Sequence, residues 1–293
     1  MKYVVIGGSG FIGQHIINEI ASHDSNYSII NIDINNPPRG NNNIVSKFYR
    51  SNICQDNISR FIRDVDVVFL LAGEINVQES ISDPVLYNNT NVNGVLKVLE
   101  QCRLNGVRRL IFSSSASVYG NTLKTPITED VPVAPLSPYA LQKHIGEQYC
   151  QLYSNIYNLD TICLRYFNVY GENNRKNNTY SSVINIFTKL KEQNLPLTIY
   201  GTGQQQRDFV WVQDVARANF YAGQCNTFKG GDIINIGTQR GTSIIELAKL
   251  YNHPINFLPQ RIEPKNSIAD ITKAKKLLNW SPTCNIKEWL ISL

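Results

Sequence analysis

Two short stretches carry the residue types and spacings that could do chemistry. The first is Ser113-Ser114-Ser115-Ala116-Ser117-Val118-Tyr119-Gly120, which follows the apolar run Leu110-Ile111-Phe112. The second is Ser137-Pro138-Tyr139-Ala140-Leu141-Gln142-Lys143. The apolar run predicts a buried strand that ends in hydroxyls. Ser137 is a good N-cap and Pro138 fits a first helical turn, so a helix should begin there. Tyr139 and Lys143 then share one face of it. An ammonium beside a phenol favours phenolate. A serine hydroxyl brought close by the strand end, that of Ser115, would hold a substrate oxygen. Together these groups make a proton-abstraction site. By itself the spacing describes a surface pair on an amphipathic helix equally well, so the surrounding elements must decide.

Those elements alternate. Residues 2–7 read as a strand, Gly7-Gly8-Ser9-Gly10-Phe11-Ile12-Gly13 as a turn, and residues 11–22 as a helix. Glycines at 7, 10 and 13 suit a tight turn, close approach of a pyrophosphate and close helix–strand packing. A second strand ends at Asp33, twenty residues after Gly13. A carboxylate there accepts from an adenosine ribose and repels a 2′-phosphate, which favours NAD over NADP. Strands at 48–50, 67–71, 110–115 and 161–166 interleave with helices at 58–63, 83–105 (with a break near Asn88) and 139–157. This pattern predicts an α/β fold with a doubly wound parallel sheet. Gly7, Asp33, Ala72, Ser115 and Tyr166 all stand at strand ends, where such sheets bind ligands.

After Tyr166 the pattern loosens into an Asn-rich loop at 168–179, a helix at 181–193, a strand at 197–200 and a Gly-rich loop at 201–206. A helix at 212–224, a strand at 233–236 and a helix at 244–251 capped by Ser243 follow, then a loop at 261–270 and two short helices. The expected organisation is a dinucleotide-binding domain over 1–170, taking in segments from about 208–239, and a smaller mixed domain over 171–293.

Composition narrows the function classes. The 293 residues carry 28 basic and 23 acidic side chains without a dense basic run, so nucleic acid is not implied. The N-terminal apolar run is too short for a signal peptide or membrane span. Six cysteines without a CxxC read as reduced thiols of a cytoplasmic protein, and four histidines lack metal-ligand spacing. No metal and no membrane partner are expected.

With these residues in view, the chain resembles the extended short-chain dehydrogenase/reductases, and among them the UDP-sugar 4-epimerases. The motifs are the glycine turn at 7–13, Leu71-Ala72-Gly73, Asn91-Val92-Asn93-Gly94, Ser113 to Gly120, the Tyr139/Lys143 pair and Leu164-Arg165-Tyr166-Phe167-Asn168-Val169-Tyr170-Gly171. Tyr200-Gly201-Thr202-Gly203, Arg207-Asp208-Phe209-Val210 and Ala269-Asp270-Ile271-Thr272-Lys273-Ala274 complete them.

The resemblance implies that Gly7, Gly10, Phe11, Ile12 and Asp33 hold NAD, with Asn52 and Ile53 beside the adenine and Leu71, Ala72 and Thr90 lining the cofactor. It implies Ser115, Tyr139 and Lys143 as the catalytic set, Tyr166 and Phe167 flanking the nicotinamide and Asn168 meeting the sugar diphosphate. Tyr200, Arg207 and Arg261 would clamp uracil and phosphates, and Glu263 the uridine ribose. Asn52 replaces the family's usual Asp, and Arg261-Ile262-Glu263 is one residue shorter than the family's Arg-Pro-Gly-Asp/Glu. Ser267, two before Ala269, stands where a small residue admits an N-acetyl group beside the sugar C2.

The implied activity is NAD-dependent 4-epimerisation of a UDP-hexose, UDP-GlcNAc/UDP-GalNAc and also UDP-Glc/UDP-Gal, by a homodimer. A 4,6-dehydratase would need an acid and a base where Ala116 and Ser117 stand. A decarboxylase, a 4-ketoreductase and a non-catalytic NAD sensor are the other readings on this scaffold.

Overall fold

The computed structural model describes residues 1–23, 26–38, 45–172, 182–225, 230–260 and 263–291. The first half runs β1 (Lys2–Ile6), α1 (Phe11–His23), β2 (Ser28–Asp33), β3 (Lys47–Arg50), α2 (Ser59–Ile62), β4 (Val67–Leu70), α3 (Val77–Ser82), α4 (Pro84–Asn88), α5 (Val95–Leu104), β5 (Arg109–Ser115), α6 (Pro138–Tyr157) and β6 (Asp160–Tyr166). The second half runs β7 (Asn168–Tyr170), α7 (Val183–Glu192), β8 (Leu197–Tyr200), β9 (Gln206–Trp211), α8 (Val212–Gln224), β10 (Asp232–Ile236), β11 (Gly241–Ser243), α9 (Ile244–Leu250), β12 (Ile255–Leu258), β13 (Asn266–Ser267), α10 (Thr272–Leu278) and α11 (Ile286–Ile291).

Seven strands form one sheet in the order β10-β6-β5-β4-β1-β2-β3, and every pairing in it is parallel. The alternation of the strands explains its two cores. Tyr3, Val5, Val67 and Phe69 face α1 and α8 on one side. Val4, Ile6, Val68 and Leu70 face α2, α5 and α6 on the other. Parallel strands covered on both faces read as continuous apolar runs, and these do. The direction of winding reverses between β1 and β4, which opens a crevice at their carboxyl ends.

The expected helix over 83–105 is broken in a specific way. Asp83 caps α4, accepting from the Leu86 N–H, and Pro84 sits in the first turn. Residues Asn89–Gly94 then form a π-helical turn before α5. Such a turn re-aims side chains, commonly at functional sites.

The second half departs more from expectation. Part of the presumed Asn-rich loop is β7, which pairs with β9. Arg207, which follows the Gly-rich loop, lies within β9, which also pairs with β11 and β13. β12, not foreseen, pairs in parallel with β8. Around these strands Phe187, Leu197, Ile199 and Leu247 build a separate small core. β10, by contrast, completes the edge of the large sheet beside β6.

One buried carboxylate on β9 ties the small strands to the segment that follows β10 of the large sheet. Asp208 accepts from the Thr238 N–H at 2.7 Å, the Thr238 hydroxyl at 2.6 Å, the Gln239 N–H at 3.0 Å and the Ala269 N–H at 3.1 Å. Burial lifts this carboxyl to about 6 although all four donors pull it down.

Candidate active site

The crevice is built from strand ends. β1 ends at Ile6, and Gly7 adopts φ +88°. A Cβ on Gly7 would lie 2.7 Å from the Ala72 nitrogen, so only glycine fits this turn. A Cβ on Gly13 would overlap the Gly7 carbonyl oxygen and sit 2.6 Å from Gly8 Cα. The first turn of α1 therefore presses directly on the loop: the Gly10 N–H donates to the Gly7 carbonyl at 3.1 Å, and the N-terminus of α1 follows at once, a place suited to a phosphate. Asp33 closes β2, 9% exposed; its Oδ2 accepts from the Ser9 N–H at 3.0 Å and its Oδ1 from the Asn35 N–H at 2.8 Å. The cradle of glycines, the helix terminus and the carboxylate fit a dinucleotide with a free ribose diol.

The other candidate cofactor residues border this cradle. The N–H groups of Leu71 and Ala72 both donate to the Ile6 carbonyl, at 2.8 and 3.0 Å, which ends β4 against the glycine turn. Asn52 Oδ1 accepts from the Cys54 N–H at 2.9 Å, and Ile53 is buried against Gly94. Thr90 lies half-buried in the π-helical turn.

The candidate proton-transfer residues come from β5 and α6. Ser137 Oγ caps α6 by accepting from the Ala140 N–H at 3.2 Å, with Pro138 in the first turn. Tyr139 is 9% exposed, and its N–H donates to Ser80 Oγ at 3.2 Å. Lys143, one turn on, is buried; its Nζ lies 5.9 Å from the Tyr139 ring centre and donates to the Ser113 carbonyl at 2.8 Å. Burial pushes the Lys143 ammonium down to about 8, against Glu147, which holds the proton on. Ser115 Oγ accepts from the Ser117 N–H at 3.2 Å. That use of its oxygen leaves the Ser115 hydrogen to donate to a ligand.

Beyond the sheet, the small strands gather a polar set. The Arg207 guanidinium pairs with the Glu263 carboxylate and donates to the Gln206 and Pro264 carbonyls, each at 2.9 Å. Gln205 Nε2 bridges the Glu263 carboxylate and the Tyr200 carbonyl, each at 3.2 Å. Ser267 is half-buried and stands in register beside Arg207. Asn168 Nδ2 donates to the Asp208 carbonyl at 3.2 Å. Arg261, also expected here, lies outside the described residues.

Tyr166 has a different setting from the crevice. Its hydroxyl is within 3.0 Å of Ser113 Oγ and donates to Asn219 Oδ1 at 2.9 Å, and burial pushes it up to about 12. Phe167 itself is buried, its ring 6.5 Å from that of Tyr119.

The residue reading passed over three side chains. Asn91 is 2% exposed; it accepts from the Glu74 N–H and donates to the Glu74 carbonyl, each at 2.9 Å, and donates to Gln142 at 3.2 Å. It fastens the loop after β4 to α6. Glu147 and Arg165 form a buried pair beneath Lys143. Asn91 and Arg165 lie inside quoted motifs, and Glu147 follows Lys143 at the spacing of one helical turn, so a signal existed for each.

A glycine cradle and Asp33 at one end of the crevice and a buried Tyr–Lys pair at the other define a dinucleotide-dependent enzyme on a doubly wound sheet. Among the described residues no group of three or more His, Cys, Asp or Glu could hold a metal, and no helix is long and apolar enough to cross a membrane. The chain belongs to the NAD dependent epimerase/dehydratase family, whose model matches residues 3–237. Its cofactor is accordingly NAD.

The chain is 37% identical over 298 residues to the putative UDP-glucose 4-epimerase of Methanocaldococcus jannaschii, covering 97% of this chain and 94% of that protein. Two solved structures superpose closely. The UDP-N-acetylglucosamine 4-epimerase of Methanobrevibacter ruminantium, in complex with UDP-N-acetylmuramic acid, has a TM-score of 0.91 at 29% identity, covering 99% of this chain and 95% of that one. The UDP-glucuronic acid 4-epimerase of Bacillus cereus, in complex with UDP-glucuronic acid and NAD, has a TM-score of 0.91 at 31% identity, covering 99% and 97%.

Proposed function

We propose that this protein interconverts the C4 epimers of a UDP-hexose, and that UDP-GlcNAc/UDP-GalNAc are substrates alongside UDP-Glc/UDP-Gal. The observation that carries the reading is the buried Lys143 ammonium one helical turn from Tyr139, bonded to the Ser113 carbonyl two residues before Ser115. Relatives and structural neighbours named as UDP-sugar 4-epimerases support it.

Gly7, Gly10, Phe11, Ile12, Gly13 and Asp33 hold the cofactor, with Asn52, Ile53, Leu71, Ala72, Thr90 and the Tyr166 backbone along its length. NAD bound there would supply the hydride acceptor and donor that inversion at the sugar C4 needs. Tyr139 as phenolate takes the proton of the 4-hydroxyl. The Lys143 charge favours that phenolate. Ser115 donates to the 4-oxygen and relays its proton. Arg207, Arg261 and Tyr200 grip the diphosphate and uracil, Glu263 the ribose and Asn168 the diphosphate–sugar junction. Binding energy from this remote moiety anchors the substrate while the 4-keto sugar turns. Ala116 and Ser117 supply neither the acid nor the base that a 4,6-dehydration needs.

Two measurements test this. Incubation with a panel of UDP-sugars and no added reductant should give C4 epimers by NMR; a stoichiometric demand for NADH or NADPH would point to a ketoreductase. Ser267→Tyr should lose UDP-GlcNAc turnover while keeping UDP-Glc turnover, because a bulky ring fills the space beside C2. A roomy pocket discriminates by only about 1–3 kcal/mol, so wild type should accept both pairs. Full UDP-GlcNAc activity in the Tyr variant removes Ser267 as the gate.

The working unit we propose is a homodimer joined through α4 and α6. Val85, Leu86, Leu141, Leu152 and Ile156 are exposed along these two helices. An apolar stripe of that length is what a four-helix interface would cover.

A further inference from the structure

β5 and β6 end side by side beneath the site, and one carboxylate on α6 grips both. Glu147 follows Lys143 by one helical turn, as Lys143 follows Tyr139. It is fully buried. Its Oε1 accepts from Ser114 Oγ at 2.6 Å and from Arg165 Nε at 2.7 Å, and its Oε2 accepts from Arg165 Nη2 at 2.7 Å. Ser114 and Arg165 are register partners across the two strands. The guanidinium is held from its other side by the Tyr119 ring, 4.6 Å away at its centre. Next along β5, the Ser113 carbonyl accepts from Lys143 at 2.8 Å. Ser113 and Ser114 are thus each bonded to α6, and the following residue is Ser115.

We infer that Glu147 is a positioning residue for the reaction: through Ser114 it sets Ser115 against Tyr139, and its charge keeps the Lys143 ammonium in place. The inference rests on the assignment of Ser115, Tyr139 and Lys143 proposed above. Stability alone does not call for such a pair, since apolar residues of similar volume do as well in a core. What an apolar pair lacks is direction. Bonds from one carboxylate to two strands leave a single register between strand tips and helix.

The charges around Lys143 bear this out. α6 presents Tyr139, Glu147 and Cys150 to it; β5 presents the Ser113 carbonyl and the Phe112 ring; β6 presents Arg165 from behind Glu147; the loop after β4 brings Gly73 and, across it, the neutral Asn91. Glu147 is the only carboxylate in this set. Burial would raise it, but the Arg165 guanidinium, together with His144 and Ser114, holds it below the usual range, so it stays an anion. Without that anion Arg165 becomes an unbalanced cation near Lys143, and the ammonium loses its proton at lower pH.

The test compares Ser114→Ala, Glu147→Gln and Tyr139→Phe in the full-length, NAD-loaded protein, with UDP-GlcNAc as substrate. A small misplacement of a reacting group costs far more rate than binding. Ser114→Ala should therefore lose about tenfold in kcat, with KM and bound NAD unchanged. Glu147→Gln should in addition move the alkaline limb of kcat to lower pH by about one unit. Wild-type kcat and an unmoved limb, with only thermal stability reduced, would make Glu147 a structural ion pair and overturn the inference. Should Glu147→Gln not fold, Ser114→Ala decides alone: a folded variant with wild-type kcat overturns the inference. An active Tyr139→Phe would instead sink the catalytic assignment itself, whereas an inactive one beside an unaffected Ser114→Ala sinks only the role of Glu147.

Discussion

At the scale of single residues, the chemistry depends on where a proton sits. Tyr139→Phe removes the phenol that we propose takes the substrate proton and leaves the ring in place. Turnover should fall at least about a hundredfold with NAD content unchanged, as measured by NMR progress curves and cofactor release. Near-normal turnover would remove Tyr139 from the mechanism. Lys143 adds a pH dependence whose sign follows from its burial. Burial in the folded protein lowers the ammonium from its ordinary value of 10.5 to about 8. Between those values the unfolded chain binds the extra proton, so burial of Lys143 destabilises the fold below about pH 8, and that penalty fades as pH rises. Activity runs the other way. The charge that favours phenolate disappears above about pH 8, so kcat should decline there. A flat kcat profile to pH 10 would show that the Lys143 charge is not needed.

At the scale of elements, short-range chemistry sets the placement. α6 starts where Ser137 and Pro138 start it, and the start fixes which face Tyr139, Lys143 and Glu147 share. α9 begins at Ser243 with a reciprocal capping box to Glu246. The glycine turn and α1 behave as one unit, because the Gly13 Cα lies against the Gly7 carbonyl. A Gly13→Ala change inserts a methyl where backbone, not a flexible side chain, would have to move. We expect it to cost about 1–3 kcal/mol of stability and to strip most of the bound NAD. Thermal melts and the cofactor content of purified protein measure both. Retained NAD with an unchanged melt would mean the turn relaxes without opening.

At the scale of the whole molecule, a seven-stranded sheet positions the cofactor residues, and the small strands around β9 bring Arg207, Glu263 and Ser267 together. Asp208 joins the two through Thr238, Gln239 and Ala269. The exposed apolar stripe on α4 and α6 leads to a prediction for assembly. Leu141→Lys should convert the proposed dimer to a monomer in light scattering, since a lysine within an apolar interface is desolvated without a partner. An unchanged mass would place the interface elsewhere, and a monomeric wild type would refute the dimer.

Much of this was legible in the residues themselves. Apolar runs ending in Gly7, Asp33, Ala72 and Ser115 declare parallel strands, because a strand buried on both faces must be apolar throughout. Caps at Ser137 and Ser243 declare helix starts, because the bonds that define them lie within three residues. The family followed from motifs in sequence order. Long-range pairing was not legible. β7, β12 and β13 are three- or four-residue or shorter strands whose partners lie far along the chain, and no local pattern announces them. The π-helical turn at Asn89–Gly94 was visible only as a break near Asn88, since its geometry answers to packing against α6. Tyr166 and Glu147 show the same division. The strand pattern put Tyr166 at a strand end, while Glu147 went unremarked although it follows Lys143 by one turn of α6. Only tertiary packing turned the Tyr166 hydroxyl inward to Ser113 and Asn219, and brought Ser114 and Arg165 to one carboxylate. Such contacts depend on register between strands and helix, which no single segment encodes.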